Sequence, residues 1–339
     1  MFTLINYLEY YKNQSFNDTK FNQMDALLFS CLAYLPLKSF IKPKTFKEFI
    51  SYASTFKRDD LSGTMKPSAY LFLDKIKTSK RYQNIIITNF ENTRNENTQF
   101  GAMCIHINDN ILIVFNGTDG SLIGWIENLR LNYKYPTYTQ SKAIGYVNKN
   151  ITDKTNRIYI AGHSKGGNLA MCAAMELPEN KLKKVEKIYN FDGPGFLKNE
   201  YENKFTKIKN KVVNIVPTGS VVGMCLYNDN YEVVKSKNLA ISEHYPTSWT
   251  TYGEFFINGK LSKVSTQIHE MTTVNMESIN KKELEKAIEN FCEGLGKDYN
   301  SELHLNVTEI WEIIKNMQDI DPEVYKFLSN VIYTIMKIK

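Results

Sequence analysis

Residues 157–170 read RIYIAGHSKGGNLA, and no other stretch restricts the fold of this chain so tightly. An apolar run of strand character reaches Gly162, and a helix rich in small residues starts directly after Ser164. Only a sharp turn joins two such elements with no residues to spare. Gly162 and Gly166 stand two residues either side of Ser164, where a Cβ would collide with neighbouring backbone. A G-x-S-x-G pentapeptide in this setting is predicted to form a nucleophile elbow with a strained serine at its apex. The turn also puts Ser164 at a helix N-terminus, where N–H groups and the helix dipole favour developing negative charge. A glycine-rich helix start without chemistry is the plainer alternative.

The surrounding texture is of alternating strands and helices. Residues 84–89, 100–107 and 111–115 are apolar or β-branched runs, the last two separated by an Asn-Asp-Asn hairpin turn. Further on, helical stretches at 139–147 and 165–176 alternate with strands at 157–160, 187–191, 211–216 and 231–234. Short buried strands interleaved with helices predict an α/β protein with a mostly parallel central sheet, flanked by helices on both faces. A helix is expected within 21–36, stopped by Pro36. Three helical patterns at 281–291, 307–317 and 322–338 divide the chain into a main domain, 1–275, and an all-helical C-terminal extension, 276–339.

A nucleophilic serine needs a base, and the chain holds five histidines. His106 lies in an early strand and His163 inside the elbow. Of His244, His269 and His304, His244 follows the 231–234 strand by a loop of about ten residues, where the base of such a site belongs. Asp192 ends the strand after the elbow helix and is the expected acid; Asp229, in a turn nearby, is the alternative. The acid accepts the imidazole N–H and stabilises the imidazolium. For the oxyanion hole the candidates are the backbone N–H groups of Lys165, next to the nucleophile, and of Thr118, in the loop after the 111–115 strand.

Other chemistries find little support. Net charge is +6, from 42 basic and 36 acidic residues, too even to predict nucleic-acid binding. No metal-ligand spacing, P-loop or dinucleotide fingerprint occurs, so no metal or cofactor is expected. Five scattered cysteines without a C-x-x-C point to a reducing compartment. There is no basic, apolar leader and no run of ~18 apolar residues. The chain reads as cytoplasmic, without a transmembrane segment; its oligomeric state is not legible.

Six motifs in order carry a resemblance: FNGTD…GW (115–125), GHSKGGN, NFDGPGF, VP…SVVGM, VVKS and HYPTSW. Together they resemble the bacterial DUF2974 family of the α/β-hydrolase superfamily over about residues 20–260, and the first is similar to the FRGTD…GW of lipase class 3-like proteins. The resemblance implies an α/β-hydrolase sheet with Ser164 as nucleophile, His244 as base and support for Asp192. Class 3 lipases take their acid from the next strand, where this chain has Asn214. They also carry Arg where this chain has Asn116, and an Asn cannot pair with a carboxylate to anchor the oxyanion loop. The expected function is a serine hydrolase cleaving a carboxylic ester or lipid. The alternatives are a non-catalytic binding or scaffold protein of the same fold, and an acyltransferase or peptidase using the same triad. Phe196, Leu197, Val221, Val222 and Met224 fit an acyl-chain contact or plain core equally well.

Overall fold

The computed structural model of the chain describes residues 2–56, 65–152, 155–296, 298–299, 301, 309, 312–313, 315 and 320–336. Alternation along its strands sets the layers. On β4 (Asn110–Phe115), Leu112 and Val114 enter one core while Ile113 and Phe115 enter the other. The preceding strand, β3 (Gln99–Ile107), divides in the same way, Met103 and Ile105 against Ala102 and Cys104. A strand apolar on both faces must be covered on both.

The sheet has eight strands in chain order. β1 (Lys44–Thr45), β2 (Ile86–Arg94), β3 and β4 pair antiparallel. β4, β5 (Arg157–His163), β6 (Val185–Phe191), β7 (Val212–Pro217) and β8 (Glu232–Val234) pair parallel. One face is covered by α1 (Leu4–Tyr11), α2 (Gln23–Leu32), α3 (Phe46–Ala53) and α4 (Lys66–Ile76). The other carries α6 (Tyr138–Asn150) and α7 (Lys165–Met175), with α5 (Leu122–Arg130) ahead of α6 in the crossover from β4 to β5. This mostly parallel sheet flanked by helices is an α/β-hydrolase fold.

The expected hairpin forms: Ile107 pairs with Asn110, and Asn108 takes the left-handed φ of +51° that Asn tolerates. The second strand differs from the expected 84–89. A register break between Thr88 and Glu91, with Asn89 at φ +52°, lets β2 run on to Arg94. The bulge absorbs an asparagine that in sequence looks like a strand end.

Parallel register levels the strand ends. His163 pairs with Phe191, and Phe191 with Ile215. Ser164 and Asp192 therefore step off neighbouring strands side by side. Short α8 (Glu179–Leu182) and α9 (Lys198–Asn203) precede β6 and β7. After a small hairpin, β9 (Thr251–Tyr252) and β10 (Phe255–Phe256), the chain turns helical at α10 (Lys263–Thr272). A short α11 (Val274–Glu277) leads to α12 (Lys281–Gly294), and α13 is Pro322–Met336. Leu284, Ile288, Val324 and Phe327 of the last two helices share a core with Leu122, Ile123 and Ile126 of α5. Arg130 on α5 forks onto Glu289 with two 2.8 Å hydrogen bonds. The helix expected over 307–317 lies largely outside the described residues.

Candidate active site

Ser164 closes the turn between β5 and α7 at φ +59° and ψ −135°. A non-glycine residue held there costs of order 1–3 kcal/mol, so the surrounding structure must impose it. Phe191 O accepts from Ser164 N–H at 2.9 Å, and Ser164 O accepts from Gly167 N–H at 2.9 Å. A methyl on Gly162 would lie 2.1 Å from the carbonyl of Gly166, and one on Gly166 2.4 Å from that of Phe115. Neither position admits a Cβ.

Asp192, fully buried at the end of β6, also has a left-handed φ of +52°. Its Oδ2 lies 2.6 Å from Nδ1 of His244. Its Oδ1 accepts from the Ser220 hydroxyl and, at 3.1 Å, from Gly223 N–H. A methyl on Gly223 would stand 2.3 Å from that oxygen, so the glycine is what lets the N–H reach it. The two alternatives sit elsewhere. Asp229 is largely exposed and accepts from Tyr201 Oη–H. Asn214 lies in a buried amide ladder, accepting from Asn190 at 2.9 Å and donating to Asn228 at 2.7 Å.

Of the other histidines, His106 meets Thr88 and His269 the carbonyl of Met224, while His304 is outside the described residues. His163 belongs to the site as a strut. Its Nε2 lies 2.8 Å from the carbonyl of His244, so that nitrogen carries the proton. Nδ1 is then the acceptor for the Tyr34 hydroxyl at 3.0 Å. Burial holds the His163 imidazole well below its ordinary 6.5, and the neighbouring His244 adds to the effect. The phenol of Tyr34, buried two residues past α2, also reaches the carbonyl of His163 at 3.3 Å and lies against Gly117, where a methyl would be 2.0 Å from it. Among the described residues no hydrogen bond joins the His244 ring to Ser164; Nδ1 is committed to Asp192 and Nε2 is left for other partners. Contacts of this kind are commonly loose until substrate enters.

Tyr34, Ser220 and Gly223 are absent from the sequence reading. Ser220 and Gly223 lie in SVVGM, a motif that carries the resemblance without disclosing a role. For Tyr34 the sequence holds no signal, since its helix is distant in the chain and only packing brings it to the elbow.

The candidate oxyanion loop lies directly on the elbow: a methyl on Gly117 would be 2.8 Å from Ser164 Cβ. Thr118 Oγ1 accepts from Asn128 on α5 at 2.8 Å. Asp119 pairs with Arg94 and accepts from the N–H and hydroxyl of Ser121, the α5 N-cap. Asn116 is buried, and its Oδ1 has no hydrogen-bond partner among the described residues. Asn116 brings no cation to the loop, but cations stand close by. Lys165 turns its side chain into the protein and pairs with buried Glu127 of α5 at 3.2 Å. Phe196 and Met224, read as candidate acyl-chain contacts, are 2% and 1% exposed and belong to the core.

A family model described as Mbeg1-like matches residues 76–293, more than half of the chain. The chain belongs to the Mbeg1-like family. The Mbeg1-like span includes the elbow, Asp192, His244 and the candidate oxyanion loop. No curated protein matches the chain. Among solved structures, a Rhizomucor miehei lipase propeptide complex is 15% identical over 82% of this chain and 80% of its own, with a TM-score of 0.42. A fungal lipase–inhibitor complex is 14% identical over 82% and 94%, TM-score 0.41. A triacylglycerol lipase whose catalytic centre is a serine protease triad is 13% identical over 63% and 80%, TM-score 0.39. Likenesses this distant decide nothing about the chemistry of the Mbeg1-like chain. Among its described residues, no helix is long and apolar enough to cross a membrane.

Proposed function

We propose that this chain is a serine hydrolase of carboxylic esters, lipase- or esterase-like, acting through an acyl-enzyme. The observation that carries the reading is the strained Ser164 at the head of α7, level with a buried Asp192 that is hydrogen bonded to His244. An α/β fold has little structural use for a serine at φ +59° between two closely packed glycines.

In this reading Ser164 Oγ attacks the ester carbonyl carbon and its proton passes to His244 Nε2. Asp192 accepts Nδ1–H and stabilises the imidazolium. The carbonyl oxygen becomes an oxyanion between the N–H groups of Thr118 and Lys165. Collapse breaks the C–O bond, and the alcohol leaves with the proton from His244. Water then repeats the sequence on the acyl-enzyme and releases the acid. We read residues 1–275 as the hydrolase domain and 276–339 as a helical extension seated on α5. Five free cysteines, four of them buried, fit a cytoplasmic enzyme. The test is hydrolysis of p-nitrophenyl esters of increasing chain length by wild type and His244→Ala. Loss of activity in the variant is expected; full activity would remove His244 from the mechanism.

A further inference from the structure

Behind the oxyanion loop lies a closed network of three buried polar side chains from three elements. Gln99 opens β3, Glu127 lies on α5 and Lys165 is the first residue of α7; each is 1–2% exposed. The Lys165 ammonium gives its three donors to Gln99 O at 3.0 Å, Gln99 Oε1 at 2.8 Å and Glu127 Oε2 at 3.2 Å. Glu127 is occupied on its other lobes as well: Oε2 accepts from Gln99 N–H at 3.1 Å and Oε1 from Thr139 N–H at 3.0 Å. Every charge is paired and every partner satisfied, which a buried ion pair requires if it is not to destabilise the fold.

One bond leaves the network. Gln99 Nε2 donates to the carbonyl of Gly117 at 3.2 Å. Its direction is set by Lys165: an ammonium has only donors, so the amide oxygen of Gln99 must face it and the NH2 must face Gly117. The peptide bond from Gly117 to Thr118 is planar and trans, with its C=O and N–H pointing in opposite directions. Holding Gly117 O toward the network therefore aims Thr118 N–H away from it. The same lysine also supplies, from its own backbone, the other oxyanion donor proposed above.

We infer that Gln99, clamped by the Lys165–Glu127 ion pair, is a positioning residue for the oxyanion hole, fixing the Gly117–Thr118 peptide in its donating orientation. The inference rests on the hydrolase reading. It gives the loop a hold that Asn116 does not supply: beside the Arg94–Asp119 pair, the Lys165 ammonium acts on it through Gln99.

The test compares wild type with Gln99→Leu, Gln99→Glu and the double variant Lys165→Met/Glu127→Leu, which removes both buried charges together. Gln99→Glu keeps an oxygen for Lys165 and loses the donor to Gly117, so it covers the case in which Gln99→Leu fails to fold. Steady-state hydrolysis of p-nitrophenyl butyrate and inhibition by phenylboronic acid, which mimics the tetrahedral adduct, are measured beside the melting temperature. In folded Gln99 variants kcat falls about 10- to 100-fold, less than or near the ~10²–10³ for deleting a donor outright. KM stays within about twofold, and boronate affinity falls with kcat/KM. The double variant, with Gln99 present but unclamped, loses part of this. Wild-type kcat and boronate affinity in a folded Gln99 variant overturn the inference and leave the hydrolase reading intact, as does a change confined to KM. A wild type that neither turns over the ester nor takes a fluorophosphonate fails the hydrolase reading itself, and the inference with it.

Discussion

His163 Nε2 donates to the main-chain carbonyl of His244 across 2.8 Å, and the two rings lie with centroids 4.5 Å apart, tilted by 37°. The histidine beside the candidate nucleophile thus props the loop that brings in the candidate base. Accepting from the Tyr34 hydroxyl at Nδ1 at the same time needs a neutral His163, and burial keeps it neutral. The unfolded chain binds a proton at about pH 6.5 that the folded chain refuses until much lower pH. Stability is then undiminished above 6.5 and falls as pH drops below it, by about 1.4 kcal/mol per unit for this group. Urea unfolding from pH 7.5 to 5 checks this: His163→Asn flattens the slope below 6.5 relative to wild type. An unchanged slope would mean that His163 takes up its proton in the folded state.

Gly223→Ala puts a methyl where Asp192 Oδ1 now lies, at 2.3 Å. Either the carboxylate shifts from His244 or the loop moves away. A displacement of this size in a triad costs about 100-fold in kcat. Ester hydrolysis by the variant, with circular dichroism to verify folding, measures the loss.

Asp119 ties the candidate oxyanion loop to Arg94 and to the head of α5. Burial by itself would raise its carboxyl, but Arg94 and the Ser121 donors outweigh burial and hold it below the ordinary 3.8. The sign follows: the anchor contributes stability above about pH 4 and loses it as pH falls through the lower folded value. Acid unfolding of Asp119→Asn should lack this component and diverge from wild type least at the lowest pH.

Beneath the helical layer α1–α4, Arg81 donates from Nη2 to buried Asp25 at 2.6 Å and from Nε at 2.9 Å, while Tyr82 donates at 2.9 Å. Arg81 is 2% and Asp25 0% exposed. Removing one partner leaves a buried charge, so Asp25→Ala should destabilise by about 3–5 kcal/mol. Esterase activity of whatever remains folded at low temperature should be preserved, because the pair lies outside the proposed site.

What could be read from the sequence is what depends on neighbours in the chain. The elbow is local: strand, two glycines and helix lie within fourteen residues. The sheet strands show themselves by apolar runs and the hairpin by its asparagines. Asp192 was legible because it ends a strand. The supports were not. Ser220 and Gly223 reach Asp192 from the next loop, and Tyr34 reaches the elbow from 129 residues away along the chain. Lys165 could be nominated for its N–H alone, since nothing in GHSKGG tells that its side chain turns inward to Glu127. Likewise nothing around Asn116 in sequence tells that the neighbouring loop meets Arg94 through Asp119 and Gln99 through the Gly117 carbonyl. Asp25 and Arg81 are 56 residues apart and meet only once the helical layer has packed.

The most direct measurement is intact-mass analysis of the wild-type protein and Ser164→Ala after exposure to a fluorophosphonate probe. The account predicts one adduct on the wild type, mapped to Ser164, and none on the variant, with both proteins folded. A folded wild type that takes no label, or a Ser164→Ala variant that labels as the wild type does, would contradict it.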